Sequence, residues 1–234
     1  MKAILKRELS SYFNSAIAYV VMAMFFGFSG WFFIGTCFMA NSSSLSPTFS
    51  NIFVIIVFIT PIISMKSFSE EKRQRTDQAL LTSPSSLFEI VMGKFLGAFL
   101  LYVICCMMFF VYGLVIMFFA PANWAVIICT NIGLMLLGGA LIAIDVFISA
   151  LTESQLIAAI IGMAVGLITY MTGSISSMIG IDWVTNVLNS ISFTSYYANF
   201  TYGMLDLTGV VFFLSVIALF IFFTIRVFEK KRWS

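Results

Sequence analysis

The sequence predicts an all-α fold: a polytopic membrane protein with six transmembrane helices in one domain spanning 1–234. Three observations predict it. Charged residues make up 9% of the 234 residues and the mean hydropathy is +1.07, whereas a soluble domain carries about 25% charge and needs it to cover its surface. Six apolar runs each reach the ~17 residues or more that a bilayer crossing requires. All twelve Lys and Arg residues fall on one side of a six-crossing alternation, which an odd number of crossings would spoil.

The elements follow in order. Residues 1–14, MKAILKRELSSYFN, place Ile4, Leu5, Leu9, Tyr12 and Phe13 at helical spacing opposite Lys2, Lys6 and Arg7, the pattern of an N-terminal amphipathic interfacial helix. A signal peptide is discounted, because the next apolar run is long enough to span and no A-x-A cleavage site follows it. Span one is about Ala16–Met39, and the uncharged Asn41–Pro47 is a turn. Span two is about Phe49–Met65, with Pro61 predicting a kink. A charged loop, 66–94, follows. Span three is about Phe95–Phe119, ending at Pro121; span four is about Trp124–Leu151; Thr152–Gln155 is a polar break. Span five is about Leu156–Thr172 and span six about Val210–Phe228. Between these last two, 173–209 is too polar to cross and too apolar for a simple loop. Its Trp183, Phe193, Tyr196, Tyr197, Phe200 and Tyr202 suit the membrane–water interface, so re-entrant helices dipping into the outer leaflet are expected there, packed on protein.

The basic residues are Lys2, Lys6 and Arg7 before span one; Lys66, Lys72, Arg73, Arg75 and Lys94 between spans two and three; and Arg226, Lys230, Lys231 and Arg232 after span six. By the positive-inside rule both termini and the loop are cytoplasmic. The expected location is a bacterial cytoplasmic (inner) membrane.

Several chemistries are excluded. There is no histidine, which removes His-based nucleophile systems and His-ligated metals. Cys37, Cys105, Cys106 and Cys129 lie in apolar runs without C-x-x-C spacing and read as small hydrophobes. No G-x-x-x-x-G-K-[ST] phosphate loop and no soluble stretch large enough for a nucleotide domain occur. No metal site and no nucleic-acid partner are expected.

The loop carries most of the chemistry. A charged segment of this length belongs in water or against another protein. Ser67-x-x-Glu70 and Ser86-x-x-Glu89 match the capping-box pattern, the second standing where a helix would enter span three. Pro84 ends any helix arriving from upstream. A short helix over about Thr76–Thr82 would leave Leu80 and Leu81 exposed, either as a docking surface or in the membrane interface.

Glu70-Glu71-Lys72-Arg73, Leu80-Leu81-Thr82-Ser83-Pro84 and Glu89-Ile90-Val91-x-Gly93-Lys94-Phe95 closely resemble the intracellular loop of ABC-2 type ABC transporter permeases. So do the start, Lys6-Arg7-Glu8-Leu9 with Tyr12-Phe13-Asn14-Ser15, and the end, from Met204-Leu205-Asp206-Leu207 to Arg226-Val227-Phe228-Glu229 and Arg232-Trp233. The branch most resembled is the gliding-motility-associated permease subunit. Two departures stand out: Arg75-Thr76-Asp77-Gln78 where relatives commonly run Gly-Thr-Leu-Glu, and Ala16 where they usually have proline. The resemblance implies a permease without its own engine. A separate ABC ATPase subunit would hold ATP and Mg, leaving this chain no cofactor and no catalytic residue. A coupling helix in the loop would seat on that subunit through Glu70, Glu71, Lys72, Arg73, Thr76, Leu80, Leu81, Thr82, Ser83 and Pro84. A second permease subunit would complete the path as a homo- or heterodimer, with an auxiliary membrane subunit as a further partner, and export is the expected direction.

Inside the spans, Asp145 is an acid in an apolar helix, about 10–12 Å from the Glu153 break. Such a residue marks a functional site or a structural hydrogen bond to a neighbouring Ser or Thr. Gly162-x-x-x-Gly166 lets helices approach closely. The alternative to an ABC permease is a secondary transporter or channel using Asp145 as a proton or ion site, and dependence on a partner ATPase discriminates the two. A membrane enzyme and a purely structural anchor fit less well. The Phe- and Met-rich spans suit lipid contact and do not identify a cargo.

Overall fold

The computed structural model describes residues 2–74, 86–179 and 190–233. The elements are α1 (Lys2–Phe13), α2 (Ala16–Phe33, extended by a wider π turn over Ile34–Phe38), α3 (Ser46–Ser64), α4 (Lys66–Arg73), α5 (Leu87–Cys106), α6 (Met108–Met117), α7 (Trp124–Leu151), α8 (Gln155–Ile179), α9 (Phe193–Thr201) and α10 (Leu207–Trp233). There is no strand among the described residues. Six helical stretches are long and apolar enough to cross a membrane: Ala16–Phe38, Ser46–Arg73, Leu87–Met117, Trp124–Leu151, Gln155–Gly173 and Leu207–Lys230. This is a multi-pass membrane protein with the six spans expected.

The local chemistry explains the helix starts. Ser86 caps α5, its hydroxyl accepting from the Glu89 N–H, and Asn123 caps α7 by accepting from Val126 N–H. The other capping box is corrected: Ser67 lies inside α4, buried, with its hydroxyl unpartnered. It is used for packing, because the chain is already helical before it. The stretch expected as one charged loop is helical at both ends, through Arg73 and again from Leu87. Lys94 therefore sits two turns inside α5. Pro61 is accommodated within α3, and the helix breaks one turn later, at Met65. The segment expected to begin at residue 173 is likewise shortened, since α8 continues to Ile179.

Helices α3 and α7 form the centre. Their spans keep 67% and 78% of their apolar windows inside the protein, against 22% and 17% for those of α8 and α10. The peripheral helices thus turn most of their apolar side chains outward, as membrane-facing helices must. Close approach to α7 depends on glycine. A Cβ at Gly138 would lie 2.2 Å from the Tyr102 ring, whose hydroxyl donates to the Leu134 carbonyl at 2.8 Å. A Cβ at Gly133 would meet Phe200 at 2.5 Å. Phe25 packs edge-on against both Tyr102 and Phe109 in the same layer.

At the end opposite the basic residues, α9 is capped by Ser192 and tied down on three sides. Thr130 donates to the Phe200 carbonyl, Tyr197 to the Phe49 carbonyl and Thr194 to the Tyr170 carbonyl. The chain then turns through Gly203, at φ +80°, into α10. Asp206 caps that turn: the Asn199 amide and the Thr208 N–H hold its carboxyl below the usual carboxylate range. Trp183 lies outside the described residues.

Candidate functional site

The basic end is built from α1, α4, the first two turns of α5 and the C-terminal ends of α7 and α10. Helix α1 lies against α5 because Gly93 and Gly97, one turn apart, present no side chain. A Cβ at Gly93 would come within 2.7 Å of Ile4, and one at Gly97 within 2.9 Å of Glu8. Tyr12, near the end of α1, is buried and donates to the Ile63 carbonyl at 2.9 Å. This fixes α1 to the last turn of α3.

Lys94 is the hub. Its side chain is only 2% exposed. Its ammonium lies 3.1 Å from Glu8 and 2.9 Å from Glu71, donates to the Ser67 carbonyl at 2.6 Å, and stands 5.1 Å over the Phe68 ring. Arg7 closes the cluster from the solvent side, 3.1 Å from Glu8 and 3.4 Å from Glu71. A buried ammonium is tolerated only with such partners, so the cluster specifies how three helices meet. Around it opens a polar cleft of about 340 Å³ lined by Arg7, Glu8, Ser11, Tyr12, Lys66, Ser67, Glu70, Glu71 and Gln74, among others.

Helix α4 is held as firmly from the other side. The Ser149 hydroxyl, on α7, accepts from the Phe68 and Ser69 N–H groups at 3.1 Å each and donates to the Met65 carbonyl at 3.1 Å. Lys72 donates to the Ala150 carbonyl. Phe68 also packs on Phe228 of α10, ring centroids 4.6 Å apart. A displacement of α4 would therefore be felt by α1, α5, α7 and α10 together.

Of the residues expected to dock a partner, Glu71 and Lys72 turn inward to these contacts. Glu70 accepts from the Gln74 amide, and Arg73 is exposed. Thr76, Leu80, Leu81, Thr82, Ser83 and Pro84 lie outside the described residues. Asp145 is buried on α7, facing Thr60 and Ser64 of α3. Gly162 and Gly166 let α8 pack on α3 of the same chain, where added Cβ atoms would meet Asp145 at 2.5 Å and Val57 at 2.8 Å. Sequence reasoning did not single out Lys94 with Glu8, nor Gly93-x-x-x-Gly97. The available signals were a lysine set within an apolar run and the four-residue glycine spacing.

No cluster of three or more His, Cys, Asp or Glu residues able to hold a metal occurs among the described residues. A comparison with curated proteins gives no significant match. Residues 12–233 match the family profile described as "ABC-2 family transporter protein", which takes in all six spans and, of the basic end, everything but most of α1. The chain belongs to the ABC-2 transporter family and is a transmembrane permease subunit of an ABC transporter.

Proposed function

We propose that this permease exports its substrate, driven by ATP hydrolysis on a separate cytoplasmic ATPase subunit that seats on the segment between α4 and α5. The observation carrying this reading is the Lys94 cluster. It joins the helix leading into that segment, the helix leading out of it and the N-terminal helix into one charged block, and Ser149 ties the block to α7. ATPase closure would move the block as a unit and rock the spans attached to it. Such coupling needs the ATPase to contact the block differently in its two states. The basic end is cytoplasmic, in keeping with the placement of every Lys and Arg, and both termini lie there, in a bacterial inner membrane. ATP and Mg sit on the partner. A complete path takes two membrane halves, so the chain works as a homo- or heterodimer, with room for an auxiliary membrane subunit.

The test is co-purification. The wild-type chain should bring down an ATPase of about 25–35 kDa, the size of a single nucleotide domain. Leu80→Asp with Leu81→Asp should release it while membrane insertion is kept. A mutant complex that stays whole would overturn the docking assignment, and substrate movement without nucleotide would favour a secondary transporter.

A further inference from the structure

A second cleft, of about 730 Å³, opens at the basic end between the close of α4 and the start of α8. That volume falls in the ~300–1,000 Å³ range of small-ligand sites. Its edge is set by local contacts. Lys72 donates to the Ala150 carbonyl, which brings the end of α4 over the junction of α7 and α8. Ser154 turns the chain into α8, its hydroxyl accepting from the Ile157 N–H. Arg73 and Glu153 are thereby placed on one cleft, and they are the charged side chains among its described lining residues. Both are exposed, and neither has an ion-pair partner among the described residues.

Beyond that charged edge the wall is apolar, formed by Met65, Leu156, Ile160 and Met163. Leu156 and Ile160 are 68% and 57% exposed. They belong to Gln155–Gly173, one of the six crossings, so the wall lies at hydrocarbon depth while the charged edge lies at the headgroup level. A soluble partner reaches the edge and not the wall. An amphipathic molecule charged at one end reaches both. The edge carries one charge of each sign, which matches a headgroup that carries phosphate and ammonium together. The arginine fork suits phosphate, and a carboxylate accepts from an ammonium that bears N–H groups. A headgroup with phosphate alone would leave Glu153 facing an anion.

We propose that this cleft binds a zwitterionic phospholipid with a primary ammonium, of the phosphatidylethanolamine type. Its phosphate rests on Arg73, its ammonium on Glu153 and an acyl chain along Leu156 and Ile160. The lipid bridges α4 and α8, and so links the coupling block to a span that otherwise faces the bilayer. Arg73, which the family resemblance directs toward the ATPase, serves the lipid instead. No residue of the site belongs to the Lys94 cluster.

The test is native mass spectrometry of the purified complex, delipidated and then titrated with phosphatidylethanolamine, phosphatidylcholine or phosphatidylglycerol of identical acyl chains. The wild type should hold the ethanolamine lipid roughly tenfold more tightly than the glycerol lipid, the scale of one charge-assisted hydrogen bond, with the choline lipid between them. Arg73→Gln should weaken the ethanolamine lipid by roughly tenfold. Glu153→Gln should erase the preference among the three while leaving the glycerol lipid bound at least as tightly. Both side chains are exposed, so neither variant disturbs the packing. Equal affinity of the wild type for the three lipids, or unchanged affinity in Arg73→Gln, would overturn the site. So would an Ile160→Cys chain that cross-links to a second copy and excludes lipid, because the cleft would then be an interface between copies. The readout is bound lipid, with neither ATPase nor transport in it, so its failure leaves the permease reading intact.

Discussion

Lys94→Met is the most informative single substitution. It preserves the apolar stem and removes the charge, leaving Glu8 and Glu71 facing each other with only the exposed Arg7 to pair them, and the Ser67 carbonyl without its donor. The two carboxylates are 13% and 18% exposed, so water relieves them only in part. Removing one member of a buried ion pair costs about 3–5 kcal/mol; the residual exposure places this case near the lower figure. For a chain of this size, each kcal/mol moves the midpoint by about 2–4 °C, so differential scanning fluorimetry in detergent should show a loss of roughly 6–12 °C. The loss should persist at high salt, since buried charges are poorly screened. Adding Glu8→Gln and Glu71→Gln should recover more than half of it, because a neutral set no longer holds uncompensated charge. A loss under about 2 °C, or one that vanishes in salt, would show that the cluster is an ordinary surface ion pair of about 0–1 kcal/mol and would refute its role as the hub.

Other substitutions probe separate contacts. Gly138→Ala should destabilise by at least about 1–3 kcal/mol through overpacking against Tyr102, whereas Gly27→Ala, with nothing within 4 Å, should stabilise by roughly 0.5–1 kcal/mol from helix propensity; opposite midpoint shifts are required. Ser149→Ala orphans two buried N–H groups of α4 and should cost about 1–3 kcal/mol. Hydrogen exchange should show the change concentrated at Phe68 and Ser69. The four native cysteines are buried, so single engineered cysteines can report orientation. Ser44→Cys should react with an impermeant maleimide in intact cells and Gln74→Cys only after permeabilisation; the reverse pattern would invert the topology.

The sequence by itself determined the all-α class, the six crossings and the gathering of basic residues at one end. Hydropathy and charge placement are properties of contiguous stretches, and the bilayer reads them stretch by stretch. Ser86 was legible for the same reason, since a cap bonds to an amide three residues away. The caps also show the limit: Ser67-x-x-Glu70 has the same pattern as Ser86-x-x-Glu89, but its helix was already running and the hydroxyl went into packing. Only the tertiary structure decided that Lys94 belongs to Glu8, 86 positions earlier, and that Glu71 turns inward while Arg73 stays exposed. It also decided that Gly138 makes room for Tyr102, and that Asp145 faces the turn of α3 that contains Pro61. These pairings follow from which helix faces press together, and that is set by side-chain volume and complementary polar groups on segments far apart in the chain, about which no local pattern carries information.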